Sequence, residues 1–264
     1  MVPIYGKTRS ETWLKAVRHL MSCETWDDYN LVLEIKSPGE VTATDKVIDA
    51  RVGSLLAVAG LLPINTVAET IFPASEYRRH GVRGVYEIYP NEIFPKIRPL
   101  LRWGTYAYRL LHREGRDGEP MNPLKILVGK LKFQSAKAKG MKRTCYELSL
   151  VGDDEEMFEL PIFSAPQDQL STFGGPCLSH ISLKVTHADK LNMTVVYRSH
   201  FYMERALGNL LGLARLQRFI CDETGLESGS LVCVSTYARL DKHKGAGHEA
   251  IEKLVNGLVE REAA

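Results

Sequence analysis

The chain has 264 residues, 44% hydrophobic and 25% charged, with a formal net charge of +2. That supplies enough apolar material for a sizeable core. The near-neutral balance excludes the broadly basic character of a nucleic-acid-binding domain, so no nucleic-acid partner is expected. No apolar run reaches the roughly 20 residues that span a bilayer, and the start lacks the charged and apolar regions of a secretory signal. A cytoplasmic protein without a membrane partner is therefore expected.

In chain order, residues 12–23 place Trp13, Ala16, Val17 and Leu20 at helical spacing. Residues 29–36 read as a strand closed by Ser37, Pro38 and Gly39. Residues 50–71 read as helix, turn, helix, broken at Pro63. Arg78, Arg79 and His80 read as solvated loop. Two further helices are predicted over 103–111 and 122–133, the second capped by Asn122 with Pro123 at its first position. Residues 143–151 read as a strand followed by an acidic loop. A strand pair over 177–185 and 190–197 is joined by four residues, Thr186 to Asp189. An apolar helix over 207–224, a strand over 231–237 and a charged amphipathic helix over 245–262 complete the pattern. With no internal repeat, low-complexity tract or linker, the reading is one α+β domain over residues 1–264.

The five cysteines are Cys23, Cys145, Cys177, Cys221 and Cys233, odd in number and without a CxxC pair. Reduced thiols are expected, with neither a disulfide framework nor a Cys-based zinc site. His180, His187 and His200 lack metal-ligand spacing, so no metal is expected. Four of the cysteines read as small buried hydrophobes. Cys177 differs. It follows Gly174, Gly175 and Pro176, where a loop enters a strand, a place where a thiol can meet a ligand. Arg198 closes the second strand, and hairpin pairing would return it toward Cys177, where a guanidinium favours the thiolate. Arg198 with Ser199 offers a fork and a hydroxyl suited to phosphate. Asn209 opens an apolar helix, and its amide either reads a pyrimidine edge or caps that helix.

Pro176, Cys177, the strand pair, Tyr197, Arg198, Ser199, Asn209 and the Gly225–Gly229 turn keep order and spacing together. They resemble the thymidylate synthase and pyrimidine nucleotide hydroxymethylase superfamily, most clearly over residues 174–237. The resemblance implies a mixed β-sheet packed with helices and a homodimer formed through that sheet. It implies C5 one-carbon transfer on a pyrimidine nucleoside monophosphate, with Cys177 adding to C6 and 5,10-methylenetetrahydrofolate as donor. Glu69, in a segment similar to one whose glutamate orders catalytic water, and Tyr106, in one whose tyrosine lies beside the base, join the catalytic set. Lys142 and Arg143 resemble the basic pair that crosses the dimer interface to the partner's phosphate, with a solvated face as the competing reading.

The departures from the family pattern are specific. Leu178 replaces the histidine after the cysteine, and Phe201 replaces the aspartate that contacts folate. Arg239 and Asp241 fall where a histidine and a tyrosine bind the sugar. The family's phosphate loop near the N-terminus is absent, and a charged helix replaces the tail that closes over folate. These changes favour hydroxymethylation or a specialised variant over thymidylate synthesis. They also keep open an alternative, a catalytically inactive member that binds nucleotides or serves as a partner subunit.

Overall fold

The computed structural model describes residues 3–101, 103–114, 118–135, 159–161 and 175–262. Cys145, Lys142, Arg143 and the strand and acidic loop expected over 143–157 lie outside the described residues. The fold is α+β, with mixed β-sheet packed with helices. The chain divides into two compact units interleaved in sequence.

The first unit comprises Met1–Ala68, Tyr197–Ala214 and Ser230–Ala264. Strand β1 (Ile4–Gly6) runs parallel to β2 (Asp27–Ile35), and β2 pairs antiparallel with β9 (Glu227–Arg239). In that register Leu31, Leu33 and Ile35 face Ser235, Cys233 and Leu231, and all six are buried. The two-residue strand β8 (His200–Phe201) lies parallel to β9, with His200 opposite Ala238. Period-2 alternation puts one face of β2 and β9 against helices. That cover begins with α1 (Arg9–Ser22), which packs on β2 and on α2 (Ala43–Val58). The predicted stripe Trp13, Ala16, Val17 and Leu20 is completely buried. Trp13 also donates from Nε1 to the carbonyl of Tyr202 at 2.8 Å, so its polar edge is satisfied inside the core. Both helices start on side-chain caps. Thr8 accepts from Glu11 N–H, and Thr42 forms a capping box with Asp45. The terminal helix α9 (His248–Glu262) buries Ile251, Val255 and Leu258 and packs on α1 and α2.

Helix α8 (Leu207–Thr224) enters this unit against α3 (Ile64–Glu69). Gly208 makes the approach possible, because a Cβ there would lie 2.6 Å from the Val67 Cβ and 2.9 Å from the Ile64 carbonyl oxygen. Gly208→Ala is therefore expected to destabilise the fold by about 1–3 kcal/mol, despite the better helix propensity of alanine. Denaturant unfolding measures this, and an unchanged or raised midpoint would refute the close approach.

The second unit comprises Glu69–Val196 and Arg215–Gly229. Strands β6 (Leu178–Val185) and β7 (Lys190–Tyr197) are sheet neighbours joined by Thr186 to Asp189. Thr186 N–H bonds the Lys190 carbonyl at 2.8 Å, and Asp189 takes a left-handed φ of 54° to close the loop. At the hairpin's other end Ser179 Oγ donates to the Val196 carbonyl at 3.0 Å. Strand β5 (Glu159–Pro161) pairs antiparallel with β6. A small ribbon of β3 (Arg113–Glu114) and β4 (Pro120–Met121) stands apart from these three strands.

The helical part of this unit departs from expectation. Arg78, Arg79 and His80 are exposed, but they lie on helix α4 (Ala74–Arg83), which continues as a π-helical segment over Gly84–Ile93. Gly81 (φ 59°), Gly84 and Pro90 are breakers in the sequence. Here Gly81 kinks the helix, and Gly84 lets the backbone pass where a Cβ would meet the Glu76 carbonyl at 2.2 Å. The unit continues through α5 (Phe94–Ile97), α6 (Tyr106–Leu111) and α7 (Pro123–Ser135). Helix α7 begins as its sequence predicts. Asn122 Oδ1 accepts from Lys125 N–H at 2.9 Å, with Pro123 first in the helix. Phe72, Tyr77, Tyr86 and Phe219 form an aromatic cluster beside these helices, with centroids 4.9–6.1 Å apart.

Candidate active site

Of the predicted site residues, Cys177, Tyr106 and Glu69 fall in the second unit. Arg198, Ser199 and Asn209 fall in the first.

Cys177 is half-buried and immediately precedes β6, so the glycine–proline approach does end at a strand. Tyr106 holds this junction. Its hydroxyl accepts from the backbone N–H of Cys177 at 3.0 Å and of Leu178 at 3.2 Å. Tyr106 is itself placed by the start of α6. There Thr105 caps the helix by accepting from Tyr108 N–H at 3.1 Å and shares a 2.8 Å hydrogen bond with the Tyr89 hydroxyl. The Tyr106 ring packs beside Trp103 at 4.7 Å, and the Arg109 guanidinium stands 5.5 Å from the Trp103 ring.

Glu69 ends α3 and connects to the same framework through the backbone, since its neighbour Thr70 accepts from Ala107 N–H at 2.8 Å. Its carboxylate accepts from the Ser75 hydroxyl at 2.8 Å and from Ser75 N–H, and it lies 3.5 Å from Arg215 Nη1. The Glu69 charge reaches the interior. Burial pushes the Tyr89 phenol up to about 12, and the nearby Glu69 carboxylate adds to that rise while the bond to Thr105 opposes it. Cys177, Tyr106 and Glu69 are thus linked through a chain of hydrogen bonds and backbone within one unit.

Tyr106→Phe is expected to leave two N–H groups without their acceptor, at a cost of about 1–3 kcal/mol. Hydrogen exchange at the Leu178 amide reads this directly, and unchanged protection would show that Tyr106 does not hold the junction.

In the first unit, Thr236 Oγ1 donates to the carbonyls of Tyr197 at 3.3 Å and Arg198 at 3.0 Å, fixing the backbone at the end of β7. The Arg198 side chain is exposed and has no ion pair with the described residues, while Ser199 is half-buried. Asn209 is the third residue of α8, buried at 5% exposure, so it is not the helix cap. Its Nδ2 instead meets His200 Nε2 at 3.1 Å.

The departures are explained locally. Phe201 is 36% exposed and pairs in register with the exposed Arg239. Asp241 is engaged by the fold. It accepts from the N–H groups of Met203 at 2.9 Å and Glu204 at 3.2 Å, at the start of the π-helical turn Tyr202–Ala206, and meets His243 at 2.7 Å.

Among the described residues, two groups bring metal-ligating atoms within 4.8 Å of one another. These are His19, Cys23 and Asp28, and Glu204, Asp241 and His243. Neither contains the histidines weighed from the sequence. Cys23 is half-buried rather than core, and burial followed by the Asp28 and Asp27 charges pushes its thiol up. Cys221 and Cys233 are buried as expected, with burial pushing both to about 12.

Sequence reasoning missed His200, Arg215 and Ser235. Arg215 meets Glu69 and Ser235 meets His200 only through contacts remote in sequence, and no local pattern marks them. His200 was visible in the sequence only as a histidine without ligand spacing.

The fold is α+β, a mixed sheet packed with helices. No family model matches the chain. It is 29% identical over 83 residues to a "Putative thymidylate synthase" of Methanococcoides burtonii, covering 31% of this chain and 36% of that protein. Over the same length it is 28% identical to the protein of that name in Methanosarcina mazei and 26% in Methanosarcina barkeri. The chain thus spans 36% of the length of these curated relatives. Similarity of this extent supports the superfamily at most. No helix of the described residues is long and apolar enough to cross a membrane.

Proposed function

We propose that the protein transfers a one-carbon unit to C5 of a pyrimidine nucleoside monophosphate by covalent catalysis. The observation that carries the reading is the pair of hydrogen bonds from Cys177 and Leu178 N–H to the Tyr106 hydroxyl, which pins the thiol-bearing residue at a strand entrance. Pinning of this kind lowers the orientational cost of nucleophilic attack. That Cys177, Arg198 and Asn209 serve one nucleotide rests on their order and spacing along the chain.

In this reading the Cys177 thiolate forms a bond to C6, and the electron pair of the C5=C6 bond moves toward C5 and the C4 carbonyl. C5 then attacks a one-carbon electrophile. Glu69, oriented by Ser75 and Arg215, orders the water that carries the C5 proton away. Loss of that proton would expel the one-carbon carrier and leave an exocyclic methylene at C5; addition of hydride from the reduced carrier, or of water, to that methylene with release of the Cys177 thiolate would restore the C5=C6 bond, giving a methyl or a hydroxymethyl product. Arg198 and Ser199 bind the phosphate, assisted by Lys142 and Arg143 of a second subunit in a homodimer formed through the sheet.

The donor that the resemblance implies is 5,10-methylenetetrahydrofolate. The chain departs from a folate site at Phe201. That residue, 36% exposed, stands where the family has its folate-contacting aspartate. The chemistry assigned to this chain's residues is therefore activation of C5, removal of its proton and release of the thiolate, and the changed position favours a hydroxymethyl product.

The deciding experiment incubates the protein with UMP, dUMP, CMP and dCMP in turn, with methylenetetrahydrofolate, and reads product masses. A methyl or hydroxymethyl increment on one base supports the proposal. If no product forms, alkylation of Cys177 in the presence and absence of each nucleotide follows. Protection without turnover supports a nucleotide-binding subunit instead, and no protection refutes a pyrimidine site at Cys177.

A further inference from the structure

His200 opens β8 and is enclosed within the first unit at 1% exposure. Its imidazole lies on the Tyr197 ring, with centroids 4.0 Å apart and planes 5° from parallel, and the Tyr202 ring tilts against it at 5.1 Å. The ring is therefore held in one orientation with both nitrogens engaged. Nε2 faces Asn209 Nδ2 at 3.1 Å, and Nδ1 faces Ser235 Oγ at 3.0 Å. Ser235 Oγ in turn meets the Tyr202 hydroxyl at 3.1 Å. Burial pushes the imidazole down to about 3, so at neutral pH it carries one proton shared between two possible positions.

That makes the network binary. With the proton on Nδ1, the ring donates to Ser235, Ser235 donates to Tyr202, and Nε2 accepts from the Asn209 amide nitrogen. This matches the heavy-atom arrangement, in which Nδ2 faces the ring. With the proton on Nε2, Tyr202 donates to Ser235, Ser235 donates to Nδ1, and the ring must find an acceptor at Asn209. The amide then turns over and presents Oδ1 to the ring. No other heavy atom of the network need move.

The same half-turn separates the two pyrimidines. Uracil presents N3–H beside the O4 acceptor, whereas cytosine presents the N3 lone pair beside an amino donor. An amide with Oδ1 opposite N3 fits uracil, and the reversed amide fits cytosine. We propose that His200 is a positioning residue which, through its tautomer and the Ser235–Tyr202 chain, fixes the end of the Asn209 amide that meets the base and so sets the pyrimidine preference. The proposal rests on the reading of Asn209 as the base-reading residue. An isolated asparagine rotates to suit either base. One held by His200 turns only together with the ring tautomer and the Ser235 and Tyr202 hydroxyls, and a turn without them leaves a buried polar pair mismatched, which corresponds to roughly five- to 150-fold discrimination.

The test measures binding of dUMP, dCMP, UMP and CMP to the full chain and to three variants. His200→Phe keeps the stacking on Tyr197 but removes both ring nitrogens. Ser235→Ala cuts the chain to Tyr202 without touching the amide, and it stands in if His200→Phe fails to fold. Asn209→Ala removes the reader itself. The native preference for one base is expected to collapse by at least about fivefold in both His200→Phe and Ser235→Ala. The advantage of monophosphate over nucleoside should stay unchanged in both. Nitrogen-15 spectra of the native protein should place the His200 proton on Nδ1. If Asn209→Ala changes the preference while His200→Phe and Ser235→Ala do not, the positioning role is overturned and the Asn209 reading stands. If Asn209→Ala leaves the preference unmoved, the Asn209 reading fails and the proposal falls with it. A proton found on Nε2, or on both nitrogens, overturns the tautomer assignment.

Discussion

Cys177→Ala is expected to reduce turnover by at least about 10⁴-fold, the scale on which removal of a covalent nucleophile acts. Its effect on stability should stay within about 1 kcal/mol, because only a half-buried sulfur is lost. The contact that fixes the junction is a backbone one, from Cys177 N–H to the Tyr106 hydroxyl, and alanine preserves it. A variant that still binds nucleotide, melts with the native protein and makes no product is the expected outcome. Measurable turnover near the native rate would end the covalent mechanism. Cys177→Ser adds a control of similar shape. Its hydroxyl is a far weaker nucleophile at neutral pH, so it should resemble alanine in rate and the native protein in binding.

Arg198→Ala should weaken binding of a pyrimidine nucleoside monophosphate by at least about 100-fold while leaving the nucleoside nearly unaffected. A charged fork on phosphate makes two charge-assisted bonds, each worth about 1.5–3 kcal/mol, and about 1.4 kcal/mol corresponds to tenfold. The guanidinium is exposed and has no ion pair among the described residues, so its removal should cost the fold little. Calorimetry on the monophosphate and the nucleoside separates the possibilities. Parallel losses for both ligands would remove Arg198 from phosphate binding. The monophosphate affinity of the native protein should also fall with salt more steeply than that of the variant.

Local chemistry made much of this fold legible in the sequence. The stripe from Trp13 to Leu20, the Asn122–Pro123 helix start and the four-residue hairpin each depend on neighbours within a few residues. Cys177 was visible because two glycines and a proline before an alternating run mark a loop entering a strand. Arg78, Arg79 and His80 read as loop but lie on α4, and the following Gly81, Gly84 and Pro90 are absorbed as a kink, a close approach and a π-helical turn. Asn209 stood out by its spacing from Arg198, but what holds it did not. The His200–Ser235 contact exists because β8 lies along β9, and strand pairing between remote segments carries no local signature. Asp241 likewise becomes the partner of Met203 and Glu204 only through the three-dimensional fold.

The interleaving of the first unit bears on the order in which it can be made. Strand β2 lies near the start of the chain, yet Leu31 pairs with Ser235, roughly two hundred residues later. Closing so long a loop carries an entropic cost before the contact rewards it, and topologies of that kind fold slowly. During synthesis, α1 and α2 can form early, but the edge of β2 that β9 covers stays unsatisfied until nearly the whole chain has emerged. Truncation from either end therefore removes part of the same sheet, and an isolated N-terminal fragment is left with an open strand edge prone to pairing with other chains.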